Sequence, residues 1–124
     1  MKKQLAALTV LLCAAVPAAK ADETGLAGIH AIAYESGRRA CMTDHFHDGS
    51  GTGKTRKAAE AAARNSWISF TAFEYGSDWA SFALAASKTM DCSNSGDSWS
   101  CSTAARPCRH ASKPAHGTPR SASR

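Results

Sequence analysis

The chain has 124 residues, with 15 Lys and Arg against 10 Asp and Glu and a formal charge of +5. That length leaves room for one domain rather than two, and 44% hydrophobic with 20% charged residues excludes a wholly disordered chain. A small basic chain belongs to a class that often binds nucleic acid or anionic membrane, so the placement of the charge decides how far that reading goes.

Met1 to Ala21 has the three parts of a secretory signal peptide. Lys2 and Lys3 start it, Leu5 to Val16 is an apolar run, and Pro17 breaks the run before Ala19-Lys20-Ala21. Cleavage is expected after Ala21. The run is too short for a comfortable bilayer span, and no other stretch approaches spanning length. Leu12 before Cys13 is not the small residue that a lipoprotein signal wants. The expected location is therefore periplasmic or secreted, in a bacterial setting, with no transmembrane segment after cleavage.

Removing this segment changes the charge. It carries Lys2, Lys3 and Lys20 and no acid. Asp22 to Ala105 holds 7 basic and 10 acidic residues, and the rest of the positive charge sits on Arg106, Arg109, Lys113, Arg120 and Arg124. Arg109 to Arg124 has two prolines, no acid and no large apolar side chain, and is expected to be a disordered basic tail. The body, residues 22–108, is mildly acidic. Nucleic-acid binding by the body is disfavoured, and any attraction to anionic polymers belongs to the tail.

Within the body the pattern predicts four strands and one helix. Ala27 to Tyr34 reads as a first strand, with a turn at Glu35-Ser36-Gly37-Arg38. Arg39 to His47 reads as a second strand, and Asp48 to Gly53 (DGSGTG) as a flexible loop. The alanine-rich stretch from Lys54 to Tyr75 predicts a helix that Gly76 ends. At 100° per residue Ala59, Ala62, Ala63, Ser66, Phe70 and Phe73 share one face, the expected buried one. Trp79 to Cys92 can alternate as a strand, although Trp79 to Ser87 also suits a helix. Ser93 to Ser98 is a turn cluster, and Trp99 to Pro107 the last strand. The expected fold class is α+β: one small antiparallel sheet in the order ββαββ, packed by one long amphipathic helix and stabilised by disulfides.

Four cysteines remain after cleavage: Cys41, Cys92, Cys101 and Cys108. An even count in an exported chain points to disulfides. Cys92 and Cys101 flank the last turn, which would leave Cys41 to meet Cys108, but four cysteines allow three pairings and the sequence does not choose among them. A four-cysteine zinc site would bring short paired spacings, and none is present.

Asp48 to Thr55 (DGSGTGKT) resembles a phosphate-binding loop, but the first glycine position is Asp48, so no nucleotide is expected. Asp44-His45-Phe46-His47-Asp48 carries more chemistry. On a strand His45 and His47 point to one side, and two imidazoles there suit copper, zinc or nickel. A third ligand such as His30 would still be needed, and the plainer reading leaves both histidines facing solvent. Trp67, Trp79 and Trp99 read as core and core rim. No G-x-S-x-G or H-E-x-x-H is present, so no catalytic residue and no cofactor is assigned and a small hydrolase ranks last.

CMTDHFH from Cys41, the alanine-rich helix with Trp67, FEYG at Phe73 to Gly76, WASF at Trp79 to Phe82, and WSC and ARPC between Trp99 and Cys108 together resemble a group of short exported, cysteine-containing proteins of alphaproteobacteria, rhizobial ones especially. The resemblance implies export and a disulfide framework and transfers no catalytic residue. The leading expectation is a non-catalytic exported domain that binds another protein or an envelope component, with copper or zinc binding at His45 and His47 as the alternative.

Overall fold

The structure, a computed structural model, describes residues 24–35 and 38–111. The expected signal segment, most of the expected basic tail, and Ser36 and Gly37 of the expected turn lie outside the described residues. The elements are β1 (Ile32–Glu35), β2 (Arg39–Met42), β3 (His47–Gly53), α1 (Arg56–Tyr75), β4 (Ala86–Ser95), β5 (Ser98–Arg106) and β6 (Cys108–His110), with 3-10 turns at Leu26–Ile29 and Ser77–Trp79. Among the described residues the class is α+β with one α-helix. Instead of one sheet there are two antiparallel ones, in the orders β1-β2-β6 and β3-β5-β4.

Both disulfides take the pairing that the last turn suggested: Cys41–Cys108 and Cys92–Cys101. Each joins residues directly opposite in register, across β2–β6 and across the β4–β5 hairpin. The hairpin turns at Gly96, whose φ of +71° a side chain would resist. Two bridges in so small a body fit an oxidising compartment. Among the described residues no helix is long and apolar enough to cross a membrane.

The glycine-rich segment is not a loop. Asp48 to Gly53 belongs to β3, which pairs with β5 along its length. Gly49, Gly51 and Gly53 share the face with His47 that meets α1. A Cβ on Gly51 would lie 2.3 Å from Ala62 Cβ, and one on Gly49 would lie 2.4 Å from Ala63 O. The missing side chains therefore let helix backbone rest almost directly on strand backbone. Ala59 and Ala63, both buried, keep the other side of the contact equally thin.

Helix α1 begins on Thr55, whose hydroxyl accepts from the Ala58 N–H at 3.1 Å. It ends at Gly76, with φ +95°. Its buried residues are Ala59, Ala63, Trp67, Thr71 and Tyr75, a strict spacing of four. The expected face was right at its alanine end and wrong at its aromatic end. Ala62 and Ser66 are half-buried, while Phe70 is 49% and Phe73 84% exposed. Four residues advance the helix by slightly more than one turn, so a stripe with that spacing drifts around the axis as it follows a twisted strand. The drift carries Trp67, Thr71 and Tyr75 inward in place of the phenylalanines.

Other boundaries moved for local reasons. Residues 26–29 form a 3-10 turn with Ala27 buried, so the first strand begins only at Ile32. The second strand stops at Met42, and His47 opens the next one. Trp79 to Ala85 is not strand. Trp79 is buried with Ala27, Met42 and Tyr75, and the Leu84 and Ala85 N–H groups both donate to Ser81 O. Pro107 has no N–H to donate, and there the chain leaves β5 and crosses to the other sheet as β6. Arg109 and His110, expected to open the tail, complete β6.

A charged knot ties the two sheets. Arg106 on β5 donates to Glu35 Oε1 on β1 at 2.8 Å and to Met42 O on β2 at 2.6 Å. Arg39 holds the other carboxylate oxygen at 3.0 Å. The Arg106 hydrogen bond keeps the Glu35 carboxyl below its usual range, against a smaller opposing push from burial.

Candidate metal centre

His45 lies in the segment between β2 and β3, His47 opens β3 on its helix-facing side, and Glu74 is the penultimate residue of α1. The structure brings one ligand atom from each of the three within 4.8 Å of the others. The two histidines that the sequence singled out do converge, although not by alternation along one strand. The third donor is Glu74, 27 residues further on and invisible to local spacing. His30 stands beside the cluster without joining it: its ring stacks on His45 at 4.2 Å.

His47 is the anchor. It is 2% exposed, stacked on Tyr75 at 5.0 Å and flanked by Phe70 at 4.7 Å. Its Nδ1 lies 2.9 Å from Thr71 Oγ1. Its Nε2 is buried and lies 3.0 Å from Glu74 Oε2, an ion-pair contact. A cation shared between the nitrogen and the carboxylate would satisfy both, and a hydrogen on Nε2 competes for the same place. Burial pushes the His47 imidazole below its ordinary range, while the Glu74 carboxylate pulls the other way. His45 is also lowered, by burial first and then by the charge of His30.

Tyr75 is the hub behind the ligands. Its hydroxyl sits 2.8 Å from His30 Nε2 and 2.9 Å from His45 Nε2. A phenol has one hydrogen to give, so at least one of the two imidazoles donates its own N–H to the phenol oxygen. Burial, reinforced by the Glu74 carboxylate, raises the Tyr75 hydroxyl to about 12. The phenol therefore keeps its proton at neutral pH and serves as a hydrogen-bond partner rather than an anionic donor.

All four cysteines of the body are in disulfides, so the donors here are imidazole nitrogen and carboxylate oxygen. That set suits zinc, copper(II) or nickel(II) rather than copper(I), which favours sulfur. Three protein ligands leave a coordination position open.

The other residues weighed in the sequence lie elsewhere. Asp44 accepts from Thr43 Oγ1 at 3.2 Å, and His110 is exposed at the end of β6. Trp67 and Trp79 are core, with Trp67 Nε1 donating to Ala105 O at 3.2 Å, and Trp99 is half-buried under the Arg56 guanidinium. A separate cavity of about 450 Å³ is lined by Asp48, Asp91 and several hydroxyls, with no histidine among its walls.

Sequence reasoning missed Glu74, Tyr75 and Thr71. One usable signal existed: a threonine and a tyrosine at a spacing of four on a stripe that otherwise holds only Ala and Trp must find polar partners inside. Comparison with protein-family models, with characterised proteins and with solved structures finds no match to this chain, so the reading of the site rests on its own chemistry.

Proposed function

We propose that this is an exported, disulfide-pinned domain that binds a divalent transition-metal ion, zinc or copper(II), through His45, His47 and Glu74. One observation carries the reading: two imidazoles and a carboxylate converge with their ligand atoms within 4.8 Å of one another, and His47 Nε2 is buried 3.0 Å from Glu74 Oε2. Solvated surface histidines, the plainer expectation, would not be buried, stacked and ordered in this way. The alternative, recognition of a protein or envelope component, has exposed apolar side chains such as Tyr34 and Phe73 in its favour but no convergent set of polar groups.

Titration of the purified, disulfide-intact protein with zinc and with copper(II), followed by calorimetry, tests this. One equivalent is expected to bind. At a free concentration of one hundred times Kd it should stabilise the fold by about 2.7 kcal/mol, visible as a raised unfolding midpoint. Affinity unchanged in a His45→Ala, His47→Ala double variant, or in Glu74→Gln, would sink the proposal.

A further inference from the structure

Thr71 lies one turn before Tyr75 on the buried stripe of α1, with its hydroxyl between two groups. Oγ1 is 2.7 Å from Trp67 O and 2.9 Å from His47 Nδ1. The hydroxyl has one hydrogen, and the carbonyl can only accept. The hydrogen therefore goes to Trp67 O, the back-bond that helical threonines make to the residue four before. The Thr71 oxygen is left as an acceptor, so the hydrogen in its contact with His47 comes from Nδ1. In a neutral imidazole this leaves Nε2 bare. That bare nitrogen is the buried atom that faces Glu74.

We infer that Thr71 is a positioning residue: it fixes His47 in the Nδ1–H tautomer and so keeps Nε2 available as a metal ligand. The inference rests on the reading of the site as a metal centre. Without the hydroxyl, the favourable tautomer reverses. A proton on Nε2 would be drawn to the Glu74 carboxylate and would occupy the position the ion needs. Thr71 removes that competitor by making Nδ1 the better place for the hydrogen. The arrangement is rigid at each step. Trp67 is held by its own bond to Ala105 O, Thr71 is wholly buried, and the His47 ring plane is set by its stack on Tyr75. Metal-bound histidines commonly use their second nitrogen in this way, although a threonine hydroxyl is a weaker and more easily tested partner than a carboxylate.

The test uses Thr71→Val, which keeps the shape and removes the hydroxyl, and Thr71→Ser, which restores the hydroxyl. Nitrogen NMR of the metal-free protein reads the His47 tautomer, and competition with a chromophoric chelator reads zinc affinity. The wild type is expected to show Nδ1–H. Thr71→Val should move the hydrogen to Nε2 and weaken zinc binding by about 10- to 100-fold, the usual effect of losing such a partner. Thr71→Ser should restore both. Nε2–H in the metal-free wild type would overturn the inference, as would undiminished zinc affinity in folded Thr71→Val. A wild type that takes up no zinc overturns the metal reading itself, whereas tight wild-type binding that Thr71→Val does not weaken overturns only the role of Thr71. Should the valine variant fail to fold, the wild-type spectrum and the serine variant still decide: a Thr71→Ser protein that binds zinc without the Nδ1–H tautomer refutes the mechanism.

Discussion

Replacing Gly51 with alanine is expected to unseat helix α1 from strand β3. The added Cβ would lie 2.3 Å from Ala62 Cβ and 2.6 Å from both Ala62 C and Ala63 N. Non-bonded carbon atoms prefer about 3.5–4.0 Å, so more than 1 Å must be found. Two of the three obstructing atoms are helix backbone, which no rotamer change can move aside. The helix has to lift, and lifting it loosens the parallel contacts at Gly49 and Gly53 together with the packing of Ala59, Ala63 and Cys101. Overpacking a core typically costs about 1–3 kcal/mol, and a clash with rigid backbone belongs at or beyond the top of that range. At about 4–8 °C per kcal/mol for a domain of this size, the melting temperature should fall by about 12 °C or more. Urea unfolding with both disulfides intact, followed by tryptophan fluorescence, measures the loss. Gly28→Ala is the control: nothing lies within 4 Å of its Cβ, so its effect should stay within about 0.5 kcal/mol. Equal stability of the two variants would refute the argument that the glycines exist to admit the helix. Because His47 lies on the same face of β3, Gly51→Ala should also weaken metal binding by withdrawing Glu74 from it.

The two disulfides should differ in worth and in access. Cys41–Cys108 spans 67 residues and Cys92–Cys101 spans 9, so on the chain-entropy model their removal as paired alanines costs about 4 and about 2.5 kcal/mol respectively. Cys41 and Cys108 are both fully buried while Cys92 is half-exposed, so mass spectrometry during mild reduction should find the hairpin bridge opening first; the reverse order would contradict the burial. The metal-free protein should also lose stability on acidification. His45 and His47 have folded pKa values below the ordinary 6.5, so the unfolded chain takes up protons first. Their contribution is complete above about pH 6.5 and is lost as the pH falls through the lowered folded values. Urea midpoints at descending pH should show this decline, and His47→Gln should flatten it; a midpoint that rises on acidification through this window would refute the assignment.

The legible parts of this protein were those whose cause is local. Alanine content, the Thr55 cap and the Gly76 stop lie within one stretch of chain, and α1 came out within two residues of its expected start. The polar cluster from Ser93 to Ser98 marked a hairpin, and the cysteines flanking it are bonded. Strand β3 was illegible for the opposite reason. Glycine is depleted from strands and favours loops, so DGSGTG read alone is a loop. It is a strand because α1 lies on it, and that cause sits on another element, as with Gly51 against Ala62 and Gly49 against Trp67.

The same cause explains why His45 and His47 of the proposed metal site could be read and Glu74 and Thr71 could not. Along the helix-facing side of β3 the residues run Gly53, Gly51, Gly49, His47. Opposite them along α1 run Ala59, Ala63, Trp67, Thr71 and Tyr75. Strand positions two apart advance about 6.7 Å and helix positions four apart about 6 Å, so the two rows keep nearly in step. At the glycine end both rows are thin and the backbones touch. Toward the other end both rows carry large side chains, with Trp67, Tyr75 and His47 all buried. The close contact at one end fixes the helix against the strand, and that placement delivers Thr71 to one side of the His47 ring and Glu74 to the other. His-x-His is written in three consecutive letters and can be seen. Its partners depend on how far a stripe of spacing four has drifted after four turns, a quantity fixed by the glycines. The strand that read as a flexible loop is therefore what aims the site.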